Sequence, residues 1–299
     1  MKTSRMLSLL LVLLLALPFV SLSEPADQPL TDMVGREFTL SQPAQRLVAL
    51  QAADVEILYA IGAGHLLVGR GEYADYPEAA REVPSVQSGF ETNLEQIIAL
   101  EPDVVVLAKM GQREEDVSKL EAAGIITVVS DAQNIEGVYE AIALLGAVSG
   151  MEENAEALTT SMREAFQAIE DQAKDKEGGS VYFEVSPLQY GLWTAGSGTY
   201  MDELAHLLGL TNSFADLEGW QAVSEEQVLA RDPDFIVTTT MYFGEGPEPV
   251  EEIMTRPNWA GLKAVLGQRV FNADSDSFTR PGPRLVDAAQ AFYRFVYGE

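Results

Sequence analysis

The chain has 299 residues, 47% of them hydrophobic, no cysteine, and a formal net charge of −27. That length allows one large domain or two of ordinary size, and the missing cysteine excludes disulfides, cysteine-ligated zinc, iron–sulfur clusters and a cysteine nucleophile. A surface this acidic repels nucleic acid and anionic lipid, and favours a cationic or neutral ligand or a partner with a basic docking face.

Lys2 and Arg5 precede a leucine-rich run over residues 7–20, and Ser21-Leu22-Ser23 offers small residues for cleavage. Residues 1–23 therefore read as a secretory signal peptide, since the apolar run is shorter than the roughly 20 residues a membrane span needs. Without a cysteine to accept a lipid, the mature protein is expected free in a periplasm and not as a lipoprotein. Residues 24–45 are rich in Pro, Asp and Gln and read as a leader strand or loop.

Arg46-Leu47-Val48-Ala49-Leu50 is the first clear strand, and a helix over 54–61 stops at Gly62. Gly62-Ala63-Gly64 follows that helix, so it reads as a glycine C-cap and not a nucleotide loop. A strand starts at 67–69, and the loop Gly71-Glu72-Tyr73-Ala74-Asp75-Tyr76-Pro77 carries two tyrosines. After an extended piece at 84–86 come a helix over 114–123, a strand over 125–129 and a helix over 135–148. Strands alternating with helices of this length are the pattern of a doubly wound parallel sheet.

From 152 to about 176 there is only a helix-forming run, with apolar Ala155, Leu158, Met162, Phe166 and Ile169, ended by Gly178-Gly179. Such a helix would act as a rigid strut, where a flexible linker would be rich in Gly, Ser or Pro. The pattern then resumes: a strand over 180–185, a loop from Leu192 through Trp193 to Gly198, and a helix over 201–208. A strand over 269–272, a loop over 276–283 and a closing helix over 284–297 complete the chain.

Two stretches are copies of each other. Asn93-Leu94-Glu95-Gln96-Ile97-Ile98-Ala99-Leu100-Glu101-Pro102-Asp103 recurs 131 positions later as Ser224-Glu225-Glu226-Gln227-Val228-Leu229-Ala230-Arg231-Asp232-Pro233-Asp234, and each runs into a β-branched strand. Asn93 and Ser224 are N-caps, with Gln96 and Gln227 at the reciprocal capping-box position. Each proline disfavours helix in the residue before it. The period is too long for a solenoid and predicts two related α/β lobes with a cleft between them. The expected division is a lobe over 24–150, a bridging helix over 151–177 and a second lobe over 178–299.

The order of elements, the duplicated unit and the single strut resemble the helical-backbone, two-lobed binding proteins of ABC importers, which carry vitamin B12, ferric siderophores or heme. Tyr73-Ala74-Asp75-Tyr76-Pro77, Asn93-Leu94-Glu95, the second copy, and Phe278-Thr279-Arg280 with Pro283-Arg284 are most similar to the members that carry vitamin B12. The resemblance implies a substrate-binding protein without catalysis or cofactor, monomeric, that hands a metal chelate to a membrane permease. It places one glutamate of each lobe, Glu95 and Glu226, against the permease, although a carboxylate there also suits the helix dipole. Tyr73, Trp193, Trp220 and Phe278 fall on pocket positions, with Phe90 standing beside Gly89 where the family has an aromatic.

Cleft loops supply the aromatics Tyr73, Phe90, Trp193, Trp220, Tyr242 and Phe278, as a site for a large apolar ligand requires. Arg280 would either pair with an anionic siderophore or heme propionate, or hold the last loop by a salt bridge. Ferric catecholates would need more basic residues nearby than Arg280, Arg70 and Lys109 provide, so the balance favours a corrinoid or a near-neutral ferric hydroxamate. His65 and His206 are the only histidines, too few for a zinc site or a Ser-His-Asp triad. Gly196-Ser197-Gly198 precedes a helix, where a phosphate could sit, but it lacks the P-loop lysine. The competing class is a secreted two-lobed enzyme, which would need a nucleophile and base that the cleft loops do not offer.

Overall fold

The computed structural model describes residues 29–88, 91–108 and 114–298, so the leader at 1–23, Phe90 and Lys109 lie outside the described residues. An antiparallel hairpin comes first, β1 (Leu30–Thr31) with β2 (Glu37–Phe38). The first lobe runs β3 (Leu47–Ala49), α1 (Ala52–Ala60), β4 (Leu67–Gly71), β5 (Ser85–Val86), α2 (Leu94–Ala99), β6 (Val104–Ala108), α3 (Glu114–Ala122), β7 (Ile126–Ser130) and α4 (Ile135–Ser149). The long helix α5 (Glu152–Ala173) follows. The second lobe runs β8 (Ser180–Glu184), β9 (Trp193–Ala195), α6 (Tyr200–Leu207), β10 (Thr211–Asn212), β11 (Trp220–Ala222), α7 (Glu225–Arg231), β12 (Phe235–Thr238), α8 (Pro249–Met254), α9 (Lys263–Leu266), β13 (Val270–Asn272), α10 (Ser275–Thr279) and α11 (Leu285–Tyr297).

Each lobe holds a wholly parallel sheet, ordered β5-β4-β3-β6-β7 in the first and β10-β8-β12-β13 in the second. β4-β3-β6-β7 and β10-β8-β12-β13 have the same order, so the sequence copies feed equivalent strands, α2 into β6 and α7 into β12. The buried Val104, Val105, Val106 and Leu107 show why these strands read as unbroken apolar runs: both sheet faces are covered.

The copies keep their local physics as well. Glu101 and Asp232, the residues before the two prolines, both take left-handed conformations, with φ of 49° and 45°. Asp103 then accepts the Gln45 N–H at 2.8 Å, and Asp234 accepts the Ser180 N–H at 2.9 Å. In each lobe one aspartate thus pins the start of the neighbouring central strand. The capping box closes only in the second copy, where Gln227 Oε1 accepts from Ser224 N at 2.9 Å. Gln96 instead accepts from Gln87 N at 3.2 Å.

At 22 residues α5 is about 33 Å long. Its buried Ala155, Met162, Phe166, Ile169 and Ala173 recur at helical spacing and join one hydrophobic cluster that includes α4 of the first lobe and α6 and α11 of the second. The core therefore continues from one lobe to the other through the strut. Truncating Phe166 to alanine would cost about 3–5 kcal/mol and loosen both lobes at once.

Candidate functional site

The cleft is built where parallel strands end, the place at which open α/β sheets offer their loops to ligands. Exposed large apolar side chains follow those strands: Tyr73 and Tyr76 after β4, Tyr190 and Trp193 after β8, and Met241, Tyr242 and Phe243 after β12. A cavity of about 650 Å³ lies between the lobes. The first lobe lines it with Gln51, Ala108, Asp131, Ala132 and Gln133, and the second with Val185, Trp193, Tyr200, Met201, Trp220, Thr279 and Pro281.

The two tryptophans owe their placement to a two-stranded ribbon, where the sequence pattern predicts a loop. β9 pairs antiparallel with β11, Trp193 opposite Ala222 and Trp220 opposite Ala195. Opposed residues share a face and so do residues two apart, which puts both indoles on the same side of the ribbon. The close approach is possible because residue 196 is glycine: a Cβ there would stand 2.2 Å from the Leu217 carbonyl oxygen. The amides of Gly196 and Ser197 donate to Gly219 O at 2.8 Å and Leu217 O at 2.7 Å. With those donors engaged, this segment is a strand junction and not a phosphate cradle. Thr199 caps α6 by accepting from Asp202 N at 3.2 Å.

Tyr200 lines the cavity beside Trp220, ring centroids 5.3 Å apart, and its hydroxyl donates to Thr279 O at 3.0 Å. Burial pushes that hydroxyl well above its ordinary pKa, so it stays a neutral donor. Among the described residues, no lysine or arginine lines the cavity, and no group of three or more histidines, cysteines, aspartates or glutamates is placed to hold a metal ion.

Other residues expected at the site lie elsewhere. Phe278 is fully buried and meets Phe271 and Phe292 at 6.2 Å each, so its ring belongs to the core of the second lobe. Tyr242 lines a separate cavity of about 410 Å³ with Tyr190 and Phe243, within the second lobe. Tyr73 is 70% exposed and does not line the central cavity. Gln51, Asp131, Gln133 and Tyr200 were not anticipated. The available signal was positional, since Gln51 and Asp131 follow closely on β3 and β7.

Arg280 is engaged within the fold. Its guanidinium bonds Glu56 Oε1 and Asp75 Oδ1 at 3.1 Å each, the Tyr73 carbonyl at 3.1 Å and Asp276 at 2.8 Å. Arg284 adds two bonds to the same Glu56, at 2.8 and 2.6 Å. Glu56 lies on α1, so these contacts lock the last loop of the second lobe onto the first and tether the Tyr73 loop. Partial burial pushes the Asp75 carboxyl up, but the hydrogen bond and charge of Arg280, helped by Arg81, hold it below its ordinary value. Arg70 is likewise engaged, donating to the carbonyls of Ala80 at 2.8 Å and Gly71 at 3.1 Å.

Glu95 and Glu226 are exposed in the first turns of α2 and α7. Because these helices lead directly into β6 and β12, their N-termini point to the cleft end of the sheets. The adjacent Glu225 accepts from Trp259 Nε1 at 2.9 Å, which leaves Glu226 as the outward carboxylate of the pair. A hydrogen bond from Ser224 holds the Glu226 carboxyl below its ordinary pKa.

The sequence profile of a periplasmic binding protein family matches residues 47–277. An uncharacterized ABC transporter substrate-binding lipoprotein of Bacillus subtilis, YvrC, is 31% identical over 306 residues, covering 96% of this chain and 95% of its own. The vitamin B12-binding protein of Salmonella typhimurium is 32% identical over 251 residues, covering 83% and 88%. The crystal structure of the periplasmic vitamin B12 binding protein of Vibrio cholerae superposes with a TM-score of 0.71 at 28% identity, covering 85% of this chain and 97% of that one. The Bacillus relative corrects one expectation: it is a lipoprotein, which overturns the reading of a protein free in a periplasm.

Proposed function

The chain belongs to the periplasmic binding protein family, and we propose that this substrate-binding protein of an ABC importer captures a corrinoid in the cleft between its lobes and delivers it to a membrane permease. The observation that carries the ligand class is the ribbon-mounted pair Trp193 and Trp220 facing a cavity that no described lysine or arginine lines. Broad ring faces and neutral polar edges suit a corrin macrocycle with its peripheral amides. Anionic ferric catecholates and heme propionates would need cations, and among the described residues Arg280, Arg284 and Arg70 are engaged elsewhere. Two relatives bearing the vitamin B12-binding name support the same ligand.

Delivery runs through Glu95 and Glu226, one exposed carboxylate on each lobe at the cleft end, which fit basic groups on a permease. The division at the bridging helix and the Glu56 lock support capture with little closure, because one core spans both lobes. Small-angle scattering should change little on adding ligand; a marked contraction refutes this part. Isothermal titration of the purified protein with cyanocobalamin tests the ligand directly. Saturable one-to-one binding at micromolar affinity or better is expected. Absence of binding, with saturation by hemin or a ferric hydroxamate instead, moves the protein to another branch of the family.

A further inference from the structure

The cavity of about 410 Å³ that Tyr242 lines lies wholly within the second lobe, and the fold holds its walls in place. One wall is the short 3₁₀ turn Leu188–Tyr190 after β8, closed by Tyr190 N donating to Pro187 O at 3.0 Å. Another is the loop after β12. Its Tyr242 hydroxyl donates to Gly246 O at 3.3 Å, and Gly244 and Gly246 take left-handed φ values of 82° and 78° that turn the loop back on itself. Helix α8 contributes Glu252. Arg256 Nε donates to both oxygens of Glu252 at 2.9 and 3.0 Å, and the same guanidinium donates to both oxygens of Glu184 at 2.6 and 2.8 Å. Arg256 and Glu184 are buried, whereas the Glu252 side chain is 37% exposed. Two carboxylates thus share one guanidinium, and the surplus negative charge reaches solvent through Glu252.

Three exposed rings, Tyr190, Tyr242 and Phe243, line the same cavity. Glu245 adds a second carboxylate to the lining, and among the described residues no lysine or arginine lines it. An aromatic face is the negative part of the ring quadrupole and attracts a cation placed over it, more strongly where water is displaced. A purely apolar guest would strip water from the carboxylates and give them no partner. A metal ion is poorly served, since no group of three or more histidines, cysteines, aspartates or glutamates among the described residues could hold one. We propose that this cavity binds a small organic cation of the quaternary ammonium class, whose positive charge is spread over an apolar surface. What the lining lacks narrows the class further. A zwitterion such as glycine betaine, or the phosphocholine headgroup of a lipid, brings an anion beside Glu245 and Glu252 with no described cation to receive it. No lining residue is shared with the central cleft, so the site stands whichever chelate that cleft takes.

Calorimetric titration of the purified protein with choline tests this, at about 0.15 M salt so that long-range attraction to the acidic surface is screened. Choline should bind saturably at one site. Its neutral isostere 3,3-dimethyl-1-butanol, glycine betaine and phosphocholine should each bind about tenfold or more weakly. Glu245→Gln should weaken choline about two- to fivefold and leave the isostere unchanged. Phe243 is 85% exposed, so Phe243→Leu should weaken choline by a similar factor without moving the thermal midpoint. Absence of saturation by choline overturns the proposal. Equal binding of the neutral isostere also overturns it, and would make the cavity an apolar one only. Tighter binding of phosphocholine than of choline overturns the free cation in favour of a lipid headgroup. Choline affinity unchanged in both variants would put the cation elsewhere on the protein and overturn the assignment to this cavity.

Discussion

Asp54 sits in the first turn of α1, close behind the cleft-lining Gln51, and is completely buried. Neither of its carboxylate oxygens has a hydrogen-bond partner, and the Ser130 hydroxyl is likewise buried without one. Burial lifts its pKa from 3.8 to about 7, the larger influence against a lowering from the Ser130 hydroxyl. An acid whose pKa is raised by folding holds its proton more tightly in the folded state. Its contribution to stability is therefore fully present below about pH 4 and is lost as pH rises through about 7. A rise of about three units corresponds to about 4 kcal/mol, a ceiling because the α1 N-terminus favours the ionised form. Asp54→Asn removes the titration but buries an amide that also lacks partners, at about 1–3 kcal/mol. Urea unfolding across pH 4 to 8 should therefore show crossing curves. The variant should be less stable than wild type at pH 4 and should gain on it by several kcal/mol by pH 8. Parallel curves would refute the reasoning, and would mean that Asp54 is solvated or paired in solution.

The remaining predictions concern the lock, the cleft and the docking face. Glu56 has a side chain only 2% exposed and serves two arginines, so Glu56→Ala should cost about 3–5 kcal/mol in urea unfolding; a loss well below that range would show that the arginines find other partners. Trp193 is 44% exposed, so Trp193→Ala should leave the unfolding midpoint unchanged while cyanocobalamin affinity falls about tenfold or more; equal affinity removes this ring from the site. Replacing Glu95 and Glu226 together with arginine should abolish ligand uptake by cells yet leave calorimetric affinity intact. Reduced affinity in that double variant would place the two carboxylates in the cleft instead.

Much of the fold was legible because its signals are local. Val104-Val105-Val106 and Phe235-Ile236-Val237 are buried on both faces and announce it by composition alone. The repeat was legible because each copy needs the same parts: a capped helix start, a residue before proline that leaves the helix, and an aspartate that reaches the neighbouring strand. The three-residue strands β9 and β11 are too short for alternation to show, so Trp193 and Trp220 were found as loop aromatics beside glycines while their shared ribbon was not. Residues 275–279 have the same difficulty. Asp274 caps α10 by accepting from Ser277 N at 2.8 Å, but the run Asp-Ser-Asp-Ser ahead of Pro281 and Gly282 carries turn residues throughout.

The site was less legible because what decides it is tertiary. Phe278 and Trp220 are both aromatic residues close to glycine in sequence. Only the packing of Phe271 and Phe292 sends the former into the core, and only the pairing with Ala195 sends the latter to the cleft. Arg280 shows how far this changes a functional reading. In sequence it admits either an anionic ligand or a salt bridge holding the last loop, and its partners Glu56 and Asp75, 224 and 205 residues away, are what decide for the salt bridge. Once those carboxylates claim it, the described cleft is left with ring faces, amides and Asp131. The proposed ligand reading therefore leans on the broad faces of Trp193 and Trp220 and not on Arg280, which the fold itself employs.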